Sequence, residues 1–212
     1  KVFSQSLFKL CPKHIFGLSA TPERKDGLTK VLHWFMGATF FAVERKNQGQ
    51  VEVFSIVYEC FNYRNPPPSM RNGKISMPNM ITELVEDRQR NIMLVELIKK
   101  ASAGTRQLLV LSDRRFHCEF LHQCFPKSSG LYMGGMKEKD LQESSKKKII
   151  FATFSQAHEG LDIPTLDTVI LASPKSDITQ SIGRIMRETK GKKNDPHIYD
   201  IHDPWSIFTA MY

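Results

Sequence analysis

The chain has 212 residues, 41% of them hydrophobic and 25% charged, enough for one good core or for one domain plus a fragment of another. Thirty Lys and Arg stand against 22 Asp and Glu, and the net charge of +8 suits a polyanionic partner such as nucleic acid, although a basic soluble domain without such a partner has the same balance. No apolar run reaches membrane-spanning length and no secretory signal opens the chain, while Cys11, Cys60, Cys118 and Cys124 lack the C-x-x-C spacing of zinc and redox sites.

The chain starts at Lys1 inside what reads as structured sequence, as a fragment of a longer protein would. Lys1 to Leu10 reads as the end of a helix, and His14 to Leu18 as a short apolar strand running into Ser19-Ala20-Thr21-Pro22. Leu28 to Met36 is helical, with Gly37 as its stop. Glu44 to Gln50, charged and polar with one glycine, has the composition of a linker. Val51 to Tyr58, rich in β-branched and aromatic residues, is a strand. Asn65 to Pro78 contains four prolines and a glycine and reads as a loop.

Ile81, Leu84, Val85, Ile92, Val95 and Ile98 recur at helical spacing and predict one long helix ended by Gly104. From there the chain alternates. Strands are expected at Gln107–Leu111, Gly130–Met133, Lys148–Ala152, Thr168–Ala172 and His197–Ile201. Helices are expected at Arg115–Phe125, Lys137–Ser144, a short stretch to His158, Ile178–Met186 and Trp205–Tyr212. Such alternation, with continuous apolar strands, argues for a parallel sheet covered by helices on both faces. Ligands of such sheets bind at the loops leaving the carboxyl ends of the strands.

Polar, glycine-bearing segments follow four of these strands: Ser112-Asp113-Arg114, Gly134-Gly135, Thr153 through Pro164, and Ser173 through Arg187. Together they read as an extended binding rim. The last includes Q-x-x-G-R-x-x-R, with Arg184 and Arg187 on neighbouring positions of a helix face and Gly183 permitting close backbone approach. Two convergent guanidinium groups suit a polyphosphate, although a solvated helix face carries the same pattern.

These segments resemble the motifs of superfamily 2 helicases. Ser19-Ala20-Thr21 is similar to motif III, Leu108 to Arg114 to motif IV, Thr153 to Pro164 to motif V, and Gln180 to Arg187 to motif VI. Gly17 to Gly27 resembles the branch holding the XPB-type, phage and large-DNA-virus transcript-release helicases. The resemblance implies a RecA-like second motor domain over residues 51–212, a linker over 44–50, and over 1–43 a remnant of the first RecA-like domain.

It also implies roles. Gln180, Arg184 and Arg187 would act at the γ-phosphate of ATP, where an arginine finger stabilises spreading charge. Gly160, Asp162 and Gly183 would lie at the nucleotide. Thr153, Ser112, Arg114 and Gly135 would grip the sugar–phosphate backbone of DNA or RNA without reading bases. Ser19, Ala20 and Thr21 would couple nucleotide state to that grip. Plainer readings stand beside these: a helix N-cap for Ser112-Asp113, a simple turn for Gly134-Gly135 or for Asp162-Ile163-Pro164, a packing or surface role for His158, a solvated edge for Lys146-Lys147-Lys148, and packing for Trp34 and Trp205.

Neither a G-x-x-x-x-G-K-S/T phosphate loop nor a D-E-x-D/H run occurs. ATP and Mg2+ would therefore be bound mainly by the first RecA-like domain, acting in cis, and this chain by itself would not hydrolyse ATP at a useful rate. The expected setting is intracellular, with no membrane partner. The competing reading is a RecA-like module that grips nucleic acid or senses nucleotide without catalysis.

Overall fold

The computed structural model describes residues 9, 13–19, 23, 27–43, 51–59, 70–71, 74–159, 161–176, 178, 182–183 and 194–209. The chain divides into two compact units, Lys1–Asn47 and Gln48–Tyr212.

In the first unit, helix α1 (Thr29–Met36) ends where Gly37 takes φ 80° and returns its N–H to the carbonyl of His33. That left-handed turn is open to glycine at no steric cost. Residues 14–19 form no strand, contrary to the sequence reading of 14–18. A strand exists only through ladder hydrogen bonds, and no described strand of this unit lies beside them. A Cβ on Gly17 would sit 2.8 Å from the Met36 sulfur, so this segment runs close against the end of α1. None of the described residues of the unit is buried. Trp34, expected to pack, is 78% exposed, and Phe16, Leu18, Phe40, Phe41 and Val43 are exposed with it.

The second unit is built on six parallel strands: β1 (Glu52–Val57), β4 (Leu108–Ser112), β5 (Ser129–Tyr132), β6 (Ile149–Thr153), β7 (Thr168–Leu171) and β8 (His197–His202). Their order across the sheet is β1-β8-β7-β4-β6-β5. Every residue of β4 and β7 is buried, and only Thr153 of β6 is partly exposed, as befits strands covered on both faces. Side chains alternate between the faces. Leu108, Val110, Ile149, Phe151 and Ile170 pack on one side with Leu94 and Ile98 of helix α3 (Arg88–Ala101) and Cys118 and Leu121 of helix α4 (Arg115–Cys124). Leu109, Leu111, Ile150, Ala152 and Val169 pack on the other with Ala157 of helix α6 (Phe154–Glu159), Leu161 and Ile163, joined by Ile178 and Ile182. Helix α5 (Glu138–Ser145) covers β5, where a Cβ on Gly130 would lie 2.8 Å from the Ser144 backbone.

Two expectations change. The segment Asn65–Pro78 is not all loop: β2 (Met70–Arg71) and β3 (Lys74–Ile75) form a short antiparallel ladder, and Pro78 enters the first turn of helix α2 (Met77–Glu86). Proline is tolerated there because the first-turn N–H groups have no intrahelical partner. The predicted long helix is two helices, α2 and α3, parted at Asp87. Asp87 turns extended (φ −63°, ψ 119°), and its carboxylate caps α3 by accepting the Arg90 N–H at 2.6 Å and the Tyr58 hydroxyl at 2.9 Å. A capped break of this kind keeps the apolar period on both sides, so the period alone does not reveal it. Met80, Leu84 and Val85 of α2 then pack on Trp205 and on Phe208 of helix α7 (Ser206–Thr209), and the packing role read for Trp205 agrees.

Arg90 ties these layers together. Both its side chain and that of Asp203 are fully buried. Its Nε and Nη2 donate to the two Asp203 oxygens at 2.6 and 3.0 Å, and Nη1 donates to the Ala172 carbonyl at 2.8 Å. The ends of β7 and β8 are thereby pinned to α3. Burial pushes the Asp203 carboxyl up, and the Arg90 charge opposes that rise.

Candidate functional site

The parallel register brings the carboxyl ends of four neighbouring strands to one edge. Ser112 and Thr153 are paired at the ends of β4 and β6, with β5 beyond β6 and β7 on the other side of β4. The loops that leave them are bonded to one another. The Asp113 N–H donates to the Ser173 hydroxyl at 2.9 Å, and Lys175 Nζ donates to Asp113 Oδ1 at 3.2 Å, so the β4 and β7 exits are joined twice. Lys175 also stands 5.5 Å above the Phe154 ring, at the start of the β6 exit. Arg115 Nη1 donates to the Gly134 carbonyl at 3.1 Å, and a Cβ on Gly134 would sit 3.3 Å from Gln156 Oε1, which links the β5 exit to those of β4 and β6. Gly135 turns left-handed (φ 84°) with nothing within 4 Å of its missing side chain. An open glycine at a strand end lets an extended ligand approach the backbone.

Of the residues that the sequence singled out, Thr153 stands on this rim, partly exposed, with its hydroxyl 3.2 Å from that of Ser155. Gly135 stands on it as well. Asp162, Gly183 and, in the first unit, Ser19 are exposed. Ala20, Thr21, Gly160, Gln180, Arg184 and Arg187 lie outside the described residues. What is described of the last segment is one turn, in which the Ile182 N–H donates to the Ile178 carbonyl at 2.8 Å.

Two of the singled-out residues have their polar groups engaged within the chain. Ser112 is 1% exposed, and its hydroxyl faces inward. Asn91 Nδ2 donates to the Val85 carbonyl, which leaves Asn91 Oδ1 to accept from His117 Nε2 at 2.9 Å. His117 Nδ1 must then accept, and it does so from the Ser112 hydroxyl at 2.9 Å, whose oxygen takes the Arg114 N–H at 3.3 Å. Every group in this chain is satisfied by a neutral imidazole. Burial first, and the Arg90 charge second, lower His117 from its ordinary 6.5 to about 3. Arg114 also turns inward. Its Nε donates to the Thr82 hydroxyl at 3.0 Å, Nη2 to the Pro78 carbonyl at 2.6 Å, and Nη1 to Asp113 Oδ2 at 2.7 Å. The guanidinium fastens α2 to the rim. Neither direction was legible from spacing, because the partners lie on elements far away in the chain.

Sequence reasoning gave no role to His117 and Asn91, which hold the rim from within, whereas Ser173 and Lys175 fall in a segment it did mark as part of the rim. The polar run after β7 was the one available signal for the last two. Between α3 and α4 a separate groove of about 760 Å³ is lined by Ile92, Val95, Phe116 and Phe120, with Arg88 and Lys99 balanced by Glu86 and Glu96. Its apolar floor and balanced charge do not suit a polyphosphate. Among the described residues no group of three or more His, Cys, Asp or Glu is placed to hold a metal ion, and no helix is long and apolar enough to cross a membrane.

No family model matches the chain. Over 210 residues it is 34% identical to a protein of Acanthamoeba polyphaga mimivirus that carries the name ATP-dependent RNA helicase L396, covering 95% of this chain and 40% of that one. Over 197 residues it is 30% identical to transcript termination protein A18 of Yaba-like disease virus, covering 85% and 40%. Over 223 residues it is 26% identical to helicase 161L of Invertebrate iridescent virus 6, covering 94% and 47%. The chain thus spans less than half the length of these curated relatives. Among solved structures, T4 UvsW is similar over 72% of this chain and 32% of its own, with TM-score 0.54 and 19% identity. The yeast DEAD-box splicing factor Prp28 is similar over 76% and 31%, with TM-score 0.51 and 15% identity. These two likenesses show the fold, a RecA-like parallel sheet.

Proposed function

The chain belongs to the superfamily 2 helicases, and from that premise we propose that it is the second motor lobe, with a remnant of the first, of a protein that hydrolyses ATP to move on DNA or RNA. The observation that carries this reading is the rim: four strand-end loops, bonded into one surface, offer Thr153 and an open glycine turn beside each other. A hydroxyl, backbone N–H groups and a turn without side chains suit a phosphodiester backbone and have no means of reading bases. The exposed apolar side chains of the first unit fit a piece of a larger first lobe.

In this reading Thr153 donates to a backbone phosphate, and Gly135 lets the strand lie close. Gly160, Asp162 and Gly183 face the nucleotide. Arg184 and Arg187 place positive charge where the γ-phosphate develops negative charge, and Gln180 orients groups beside it. ATP and Mg2+ are bound mainly by the first lobe in cis. Ser19, Ala20 and Thr21 connect the nucleotide to the grip, and closing and reopening of the cleft between the lobes moves one grip relative to the other.

The test is Arg187→Ala in the full-length protein. ATPase stimulated by single-stranded DNA, duplex DNA or RNA should fall about a thousandfold, with nucleic-acid binding largely kept. Wild-type turnover in that variant would refute the finger assignment. Failure of all three nucleic acids to stimulate the wild-type ATPase would refute the motor.

A further inference from the structure

We infer that Lys175, in the loop after β7, is the cation that this loop cluster presents to a nucleic-acid phosphate, in the role that the sequence reading assigned to Arg114. The inference rests on the motor reading and deepens it.

Arg114 is committed to Thr82, Pro78 and Asp113, and its side chain is 20% exposed. Lys175 is 37% exposed. Its ammonium is 3.2 Å from Asp113 Oδ1 and 5.5 Å from the centre of the Phe154 ring, which is itself buried. Phe154 directly follows Thr153, so Lys175 packs on the first residue of the β6 exit, the loop that also carries Thr153.

Three physical points favour a ligand role over a merely structural pair. The first is charge balance. Asp113 has both Arg114 and Lys175 as ion-pair partners, so the cluster of two cations and one carboxylate keeps a formal charge of +1. The second is preorganisation. A free lysine loses much rotamer freedom when it binds, whereas Lys175 is already restrained by a carboxylate below and a ring face beside it. Its loop is held as well, since the Ser173 hydroxyl accepts the Asp113 N–H. The third is chemistry. A compact ammonium with exposed surface is a point charge suited to one phosphate oxygen, without the planar fork that recognises base edges. The ligand is thus the phosphodiester itself, whether of DNA or of RNA.

The experiment uses the full-length protein and single-stranded DNA and RNA oligonucleotides of one sequence, with affinity measured across a salt series. Lys175→Gln should weaken both about three- to tenfold and lower the slope of log K against log salt by about 0.7, the share of one phosphate contact on a single strand. Lys175→Arg should restore the slope. A Lys175→Gln protein with wild-type affinity and slope overturns the inference while leaving the motor reading intact. A loss confined to RNA indicates a sugar contact and also overturns it. A wild-type protein that binds neither oligonucleotide overturns the motor reading as well.

Discussion

Replacing Arg90 by Met should be among the most damaging single changes to the second unit. The substitution fills similar volume but leaves the Asp203 carboxylate buried at 0% exposure without its cation, and the Ala172 carbonyl without its donor. Removing one member of a fully buried ion pair costs about 3–5 kcal/mol, because the remaining charge keeps its desolvation penalty. For a domain of this size that is a fall in melting temperature of roughly 6 to 20 °C. The double variant Arg90→Met with Asp203→Leu should recover most of the loss, leaving about 1–3 kcal/mol for the unsatisfied Ala172 carbonyl. The pH dependence gives a further check. In Arg90→Met, burial raises the Asp203 carboxyl with no nearby guanidinium to oppose it. A carboxyl raised in the folded state binds more protons folded than unfolded, so its loss of stability should be greatest at neutral pH and shrink as the pH is lowered. Urea unfolding of the full chain followed by circular dichroism measures all three proteins. A single variant within 1 kcal/mol of wild type, or a double variant less stable than the single, would refute the reasoning.

His117 is lowered to about 3 in the folded chain and stands at 6.5 when unfolded, so the unfolded state takes up the proton between those values. Its contribution is fully present above pH 6.5 and is lost as the pH falls toward 3, by roughly 5 kcal/mol in total. His117→Gln should flatten that part of the stability–pH curve, measured by urea titration at a series of pH values. Gly130→Ala should cost about 1–3 kcal/mol, since the new methyl meets the Ser144 backbone at 2.8 Å and backbone cannot swing away. Gly135→Ala, with open space but φ 84°, should cost only about 1 kcal/mol of backbone strain, and the two are compared by thermal unfolding. Burial pushes the Cys118 thiol up to about 12, whereas Cys124 is exposed, so iodoacetamide at pH 8 should label Cys124 and spare Cys118 in native protein, read by peptide mass mapping. Equal labelling would show that α4 does not cover β6 as described.

What the sequence determined by itself was the local and the periodic. Unbroken apolar runs at 108–111, 149–152 and 169–172 fit strands buried on both faces, and the helical repeats between them cover those faces in a parallel sheet. That much also grouped the polar loops, since the carboxyl ends of parallel strands share an edge. The tertiary structure alone decided the direction of each polar side chain. Arg90 reads as one more charge on a helix surface until the sheet order brings Asp203, 113 residues away, against it. Ser112 and Arg114 read as ligand contacts until Asn91, His117 and α2 are in place to take their hydrogen bonds. Asp87 reads as a solvated helix position until Tyr58 arrives from just beyond β1. A side chain's apolar period is a property of its neighbours along the chain, whereas its hydrogen-bond partner is a property of topology.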